Sequence, residues 1–444
     1  MIPLQEPKLK TLFREYVSLY VIGNEHLVEL MFLAFCGLVL QTKILYSAKY
    51  IYPRISVFAI QDSGSGKSQA MSSLYWLMVS IFPRYRICKI TKTTDAALIG
   101  TKDNDKSKEK EQSRLLFKKD LLNWDEGSVL LRGQHSPHSE NLQDIMQMTL
   151  DEPGYISKST KDGTIEGRTY TTIVAGSYFD EKIKYSVLQK GFFQRMFVTK
   201  KKFSNKEKKD IQLNLHKLEV VSLDQKKKLE AEIKSELTVN YGFDYEKRTN
   251  DINKYPGEKY SVMGIDRESS KRFSKKMADY MDEHIFKRYI DGRQQILETV
   301  WARCRLLVVK IAAQHAFLDK RNLISDCDYE SAFCIVAKYH VQSMKNILDS
   351  ISDKKVVYKS IKKSNQKRFV LASIRAFKKQ KPNFNNKEFC EYLLKNRSNL
   401  DADREIKIGE TGIKALIRIL EKEKKIKMVQ MSKEGTKGKT IEVL

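Results

Sequence analysis

The sequence predicts an α/β core, a mostly parallel sheet with flanking helices, joined to a helical domain and a C-terminal winged helix-turn-helix. Three observations carry this. Between residues 50 and 205 short apolar runs alternate with amphipathic stretches, the pattern of strands linked by helical crossovers. A glycine-rich turn, QDSGSGKSQ at 61–69, lies between the apolar run RISVFAI and the helix-like MSSLYWLMVSIF. Residues 367–444 read as three helices followed by two short strands, which is the winged arrangement.

Taken in chain order, residues 1–46 read as an N-terminal helical segment, with Leu27, Leu30, Met31, Ala34 and Leu38 at helical spacing. The core is expected over 47–205, with strands at RISVFAI, RICKIT, DLLNW, YTTIVAG and FVTKKK. Residues 206–351 read as a helical lid domain preceded by a basic linker, with KYPGEKY at 254–260 as a turn. A charged linker spans 352–366. In the final segment RFVLASIRAFKK, NKEFCEYLLKN and ETGIKALIRILEKEKK are the helices, and KIKMVQM and TIEVL the strands.

The 444 residues carry 81 Lys+Arg against 55 Asp+Glu, a net charge of +26. Such a surplus opposes compaction unless a polyanion offsets it, and nucleic acid is the expected partner. A generally lysine-rich proteome is the bland alternative. The six cysteines are scattered with no C-x-x-C pair, which argues against a disulfide framework or a zinc site. The polar opening MIPLQEPKLK does not read as a secretory leader, so none is expected, and the longest apolar run, LMFLAFCGLVL at 30–40, is too short to span a bilayer. A cytoplasmic protein at a nucleoid or a viral or plasmid replication site, with no membrane partner, is expected. His135 and His138 have a metal-like spacing without further ligands around them, so a polar loop is the expected reading.

The chemistry concentrates at 61–69. A phosphate loop places successive backbone N–H groups at a helix N-terminus, facing phosphate oxygens. Gly64 and Gly66 permit the close approach, Lys67 would reach the β- and γ-phosphates, and the Ser68 hydroxyl would ligate Mg²⁺. The usual first glycine is replaced by Gln61, which is expected to cost some backbone strain in the turn. Downstream, DLLNWDEG places Asp125 and Glu126 at a strand end, where Asp125 would hold Mg²⁺ and Glu126 would polarise the attacking water. Arg195, just before a strand and away from the loop, could reach a γ-phosphate only on a neighbouring subunit, which would require an oligomer, and an ordinary surface salt-bridge arginine is the alternative. In the tail, Lys414 and Arg418 lie four apart on one helix face, and Lys433, Lys437 and Lys439 lie in the wing, in position for phosphate contacts on DNA.

These stretches resemble a family. Gln61-Asp62-Ser63-Gly64-Ser65-Gly66-Lys67-Ser68-Gln69 looks like the phosphate loop of the minichromosome maintenance replicative helicases, which are AAA+ ATPases. TTDAALIG at 93–100 is similar to the family's next segment. LQDIMQMTLDEPGYISKSTKDGTIEGRTYTTIVAGS at 142–177 looks like its helix, pre-sensor hairpin and sensor-1 strand. The resemblance places Ser177 at the sensor-1 asparagine, Lys158 and Lys161 in or beside the DNA-facing hairpin, and Arg195 of GFFQRMFV at the arginine finger. Arg293, Arg303 and Arg305 stay open as sensor 2. Departures are Gln61, Ser177 and the lack of a DNA-binding barrel ahead of the core.

The resemblance implies a compact relative of the kind carried by viruses, plasmids and other mobile elements. It implies ATP and Mg²⁺ as cofactors and Asp62 to Gln69 as the nucleotide cradle. A homo-oligomer, a hexameric ring, would act on single-stranded or forked DNA, with a primase or other replication proteins as further partners. The expected function is an ATP-dependent DNA translocase or replicative helicase. The rival expectation is an ATP-gated origin-binding or regulatory DNA-binding protein that does not unwind.

Overall fold

Leu9, Leu12, Phe13, Tyr16 and Val17 recur at helical spacing, and in the computed structural model they form the buried side of helix α1, Lys8–Ser18. Helix α2, Glu25–Val39, is apolar on nearly every side and correspondingly enclosed. Its Gly37 backs onto the chain at 53–55, where an added Cβ would meet the Arg54 Cα at 2.9 Å. The structure describes residues 6–91, 93, 98–99, 115–131, 137–151, 154–160, 163–179, 183, 188, 191, 193–220, 222–244, 260–286, 292–350, 370–371, 373–374, 377–378, 386–395, 414, 417–418, 420–422, 426–431 and 438–443. The chain separates into two units, Met1–Ile351 and Ser352–Leu444.

Residues 42–46, expected within a helical segment, instead form strand β1, Thr42–Tyr46. A two-residue turn, Ser47 (φ 49°) and Ala48 (φ 60°), returns the chain into β2, Lys49–Ile51, antiparallel to β1. Such turns normally draw Asn or Gly, because both central residues need positive φ, and neither is present here. That missing signal is why the hairpin is invisible in the sequence.

The five apolar runs do form one parallel sheet. Its strands are β3 (Val57–Gln61), β4 (Ile87–Ile90), β5 (Leu121–Trp124), β8 (Thr172–Tyr178) and β9 (Phe197–Lys201), in the order β4-β5-β8-β3-β9. Strand β3 is buried at every position, as expected of a central strand covered on both faces. From β3 the chain crosses to β4 at the far edge and returns through β5 and β8 to one flank of β3. It then places β9 on the other flank, which makes the carboxyl end of β3 a topological switch point. Helix α3, Lys67–Ile81, follows β3 directly and buries Met71, Leu74, Leu77 and Met78.

Between β5 and β8 run the helix Pro137–Leu150 and an antiparallel hairpin, β6 (Gly154–Thr160) and β7 (Gly163–Thr169), in register from Gly154↔Thr169 to Thr160↔Gly163. The Arg54 guanidinium, 6% exposed, donates to the carbonyls of Thr149, Thr169 and Thr171 at 3.2, 3.4 and 3.0 Å. It thereby ties the helix end, the hairpin base and the start of β8 to the residue that leads into β3.

The segment after β9 stays with the first unit. The helix Leu223–Tyr241 packs on α1, with Tyr16 Oη donating to Glu230 at 3.1 Å. Strand β10, Ser261–Ile265, pairs in parallel with β1, and β11, Leu323–Ile324, pairs with β10. The resulting four-stranded sheet, β11-β10-β1-β2, draws the N-terminal segment and the expected lid region together. The outer edge of β9 is covered by a π-helical turn, Val336–Val341, and the helix Gln342–Ser350. His340 Nδ1 accepts the Val198 N–H at 2.9 Å and Ser343 Oγ accepts the Lys200 N–H at 2.8 Å. Two main-chain donors that would otherwise face an open edge are thus satisfied.

The second unit holds the helix Asn386–Lys395, helical residues 414, 417–418 and 420–422, and an antiparallel hairpin, β12 (Ile426–Met431) and β13 (Gly438–Val443). Its buried side chains include Val370, Ile374, Phe377, Phe389, Cys390, Ile417 and Leu420. Phe377 stacks on Tyr392 with ring centroids 4.2 Å apart. Among the described residues no helix is long and apolar enough to cross a membrane.

Candidate functional site

The turn between β3 and α3 takes its shape from two glycines. Gly64 (φ 74°) and Gly66 (φ 76°) both hold left-handed backbone, where a side chain would be strained. A Cβ at Gly64 would meet nothing within 4 Å, whereas one at Gly66 would meet Val21 Cγ1 at 3.2 Å. The turn is therefore open on the Gly64 side and closed by the N-terminal segment on the Gly66 side. Gly66 caps α3, whose own first turn carries no acidic residue, so the acids that face this helix end come from outside the helix.

Lys67 lies in the first helical turn, 6% exposed, with Nζ donating to the Ser177 carbonyl at 2.5 Å and lying 4.7 Å from the Tyr178 ring. Burial lowers its pKa, and Asp125 and then Asp62 counter that shift, which favours the ammonium form. One residue on, Ser68 Oγ donates to Asp125 Oδ1 at 2.8 Å. The loop and the strand end, 57 positions apart, thus meet through the two groups expected to share a magnesium ion. Asp125 is half-buried and its backbone N–H donates to the Ile90 carbonyl at 3.3 Å. Glu126 is exposed just past β5. Ser177 pairs with Ile60 across the β8–β3 ladder, and its buried Oγ has no hydrogen-bond partner among the described residues. Lys67 meets the backbone carbonyl of the same residue rather than this hydroxyl.

The remaining loop residues divide by role. Ser63, Gly64 and Gln69 are exposed, whereas Ser65 is buried. Asp62, expected among the nucleotide contacts, is engaged within the chain. Its Oδ2 accepts the Phe203 N–H at 3.1 Å and pairs with Lys208 at 3.0 Å.

Gln61 corrects an expectation. It is the last residue of β3, in register with Tyr178 and Lys201, rather than part of the turn. Among the described non-glycine residues positive φ occurs only at Ser47, Ala48 and Lys320, so Gln61 carries no such strain. Its fully buried side chain accepts from Asn24 Nδ2 at 2.9 Å and from Ser65 Oγ at 3.2 Å, and Asn24 also donates to the Ser65 carbonyl at 2.8 Å. Asn24, the residue ahead of α2, thus braces the loop from the N-terminal segment. No sequence motif marks it.

Arg195 precedes β9 at the end of the sheet opposite the loop. Its Nε donates to Asp151 Oδ1 at 2.5 Å, its Nη2 to Oδ2 at 3.4 Å and its Nη1 to the Gly191 carbonyl at 2.9 Å. A cavity of about 410 Å³ adjoins it, lined also by Lys49, Arg303 and Lys310. Of the three open sensor-2 arginines, Arg303 approaches Asp151 at 4.0 Å, while Arg305 donates to Ser274 Oγ at 2.8 Å and holds the helix Arg267–Met281. The side chain of Arg293 lies outside the described residues. Lys158 occupies β6 in register with Ile165, and Lys161 lies outside the described residues. In the second unit Lys414 and Arg418 are exposed, and Lys439 stands opposite Gln430 in the hairpin. Lys433 and Lys437 lie outside the described residues, as does His135 and most of TTDAALIG. Among the described residues no group of three or more His, Cys, Asp or Glu is placed to hold a metal ion.

Compared with known proteins, the sequence matches no family model, and no curated protein matches it significantly.

Proposed function

We propose that the chain is an ATP-dependent DNA translocase or replicative helicase, with a P-loop AAA+ core and a winged helix, that hydrolyses ATP between the subunits of a ring. The observation that carries this reading is the Ser68–Asp125 contact at 2.8 Å beside Lys67, at the carboxyl ends of a parallel sheet. The residues fit the nucleotide. The open, left-handed Gly64 and the N-terminus of α3, with no acidic residue in its own first turn, suit phosphate oxygens. Lys67 would bind the β- and γ-phosphates, and Ser68 with Asp125 would hold Mg²⁺. Glu126 would orient the water and accept its proton, and the Ser177 hydroxyl would position it. Bound Mg²⁺-ATP supplies the phosphoryl group that is transferred to water. Net charge +26, the β6–β7 hairpin bearing Lys158, and exposed Lys414 and Arg418 support DNA as the polymer acted upon.

The test is hydrolysis and strand release by the full chain on a forked duplex. Stimulated hydrolysis with release, both lost in Lys67→Ala and Arg195→Ala, is the expected outcome. DNA binding without release at any subunit concentration would turn the reading to an ATP-gated origin-binding or regulatory protein. Calorimetry that detects no nucleotide uptake in excess Mg²⁺ would end both.

A further inference from the structure

Arg195 and the hairpin are joined by one carboxylate. Asp151 directly follows the helix Pro137–Leu150, and the hairpin starts three residues later at Gly154. The rest of this hairpin root is fixed to the core. Arg54 holds Thr149 and Thr169, and a Cβ at Gly154 would stand 2.6 Å from the Thr149 carbonyl oxygen, so the backbone there has no slack. Asp151 itself reaches the other way, as a two-pronged acceptor for Arg195.

The exposures are unequal. The Arg195 side chain is 9% exposed and that of Asp151 41%, so the guanidinium is spent on its own chain while the carboxylate faces outward. A phosphate from a second copy can take this guanidinium only if Asp151 gives it up. The adjoining cavity favours such an exchange: Lys49, Arg303 and Lys310 line it with Asp151 as the one carboxylate among its lining residues.

The geometry points to Asp151 as the positioning residue of Arg195, and as the link by which capture of Arg195 by a phosphate of a neighbouring copy is passed to the β6–β7 hairpin. While the pair is closed, the hairpin root is tied at both sides. Once the guanidinium turns to the phosphate, the Asp151 side keeps only the longer approach of Arg303 at 4.0 Å, and the Arg54 side carries the restraint. This inference rests on the reading of Arg195 as acting on a second copy, and its test separates the two.

The full chain and its Asp151→Asn and Asp151→Glu variants are assayed for nucleotide affinity and for hydrolysis at saturating ATP, with and without forked DNA. Asp151→Asn is expected to bind nucleotide within about twofold of the wild type yet to lose about tenfold of the DNA stimulation, and Asp151→Glu to recover most of it. Full stimulation in Asp151→Asn overturns the inference. A wild type with no stimulation overturns the functional reading, and the link is then judged by amide exchange over 154–169 in the nucleotide-free chain. Arg195→Ala and Asp151→Asn must each speed that exchange by a similar factor, and the double variant must add nothing further. Independent or absent effects on exchange overturn the link as well.

Discussion

Replacing Gln61 by glycine restores the residue usual in phosphate loops, and the structure predicts that it harms the protein. The change empties a fully buried site and leaves Ser65 Oγ and one Asn24 amide proton without their acceptor. Two unsatisfied buried groups cost about 1 kcal/mol each at the low end. A glycine in a strand interior adds roughly 0.5–1 kcal/mol, and the cavity on the order of 1–2 kcal/mol. The sum is about 4 kcal/mol. Gln61→Leu fills the space and keeps the strand residue, so only the orphaned groups remain, at about 2 kcal/mol. Urea unfolding followed through Trp76, Trp124 and Trp301 reads both. With an m-value of about 3 kcal/mol/M, the midpoint should fall by roughly 1.3 M for glycine and about half that for leucine. A glycine variant at or above the wild-type midpoint would refute the reasoning, as would equal losses in the two variants.

Other outcomes follow from the same contacts. Ala48→Gly relieves a left-handed alanine in the β1–β2 turn and should raise stability by about 1 kcal/mol, read as a higher urea midpoint. Gly66→Ala forces a Cβ into positive φ and against Val21, and should cost about 1–2 kcal/mol and, on the proposed reading, lower ATP affinity measured by calorimetry. Burial lowers His340 and His26 from 6.5 to about 4. Both are neutral in the fold, while the unfolded chain takes up protons below about pH 6.5. The stability they confer is therefore present above that pH and lost as pH falls toward 4, by roughly 3 kcal/mol each. Melting temperature should drop between pH 7.5 and 5, and His340→Gln should remove part of that slope.

The core was legible because its signals are local. RISVFAI, DLLNW and YTTIVAG carry enough apolar length to declare buried strands, RICKIT and FVTKKK only enough to declare short ones, and glycines at 64 and 66 declare the turn. The second sheet was not legible. It is assembled from short strands at 42–46, 49–51, 261–265 and 323–324, more than two hundred positions apart in places, with a turn made from serine and alanine. The site shows the same division. Lys67, Ser68 and Asp125 are named by spacing, but Asn24 is an unremarkable loop residue until the fold seats it against Gln61. Asp151 reads as a helix-ending acid, and its partnership with Arg195 depends on a tertiary contact across 44 positions.

The cover over β9 has a consequence for how this chain can be cut. Among the described residues, the outward Val198 and Lys200 N–H groups of strand β9 are occupied by His340 and Ser343, which arrive more than a hundred residues later. A fragment stopped at 205, the tidy end of the α/β segment, would display a bare strand flank able to recruit another copy. Insolubility is the expected fate of that fragment, and expression through Ile351 is the remedy.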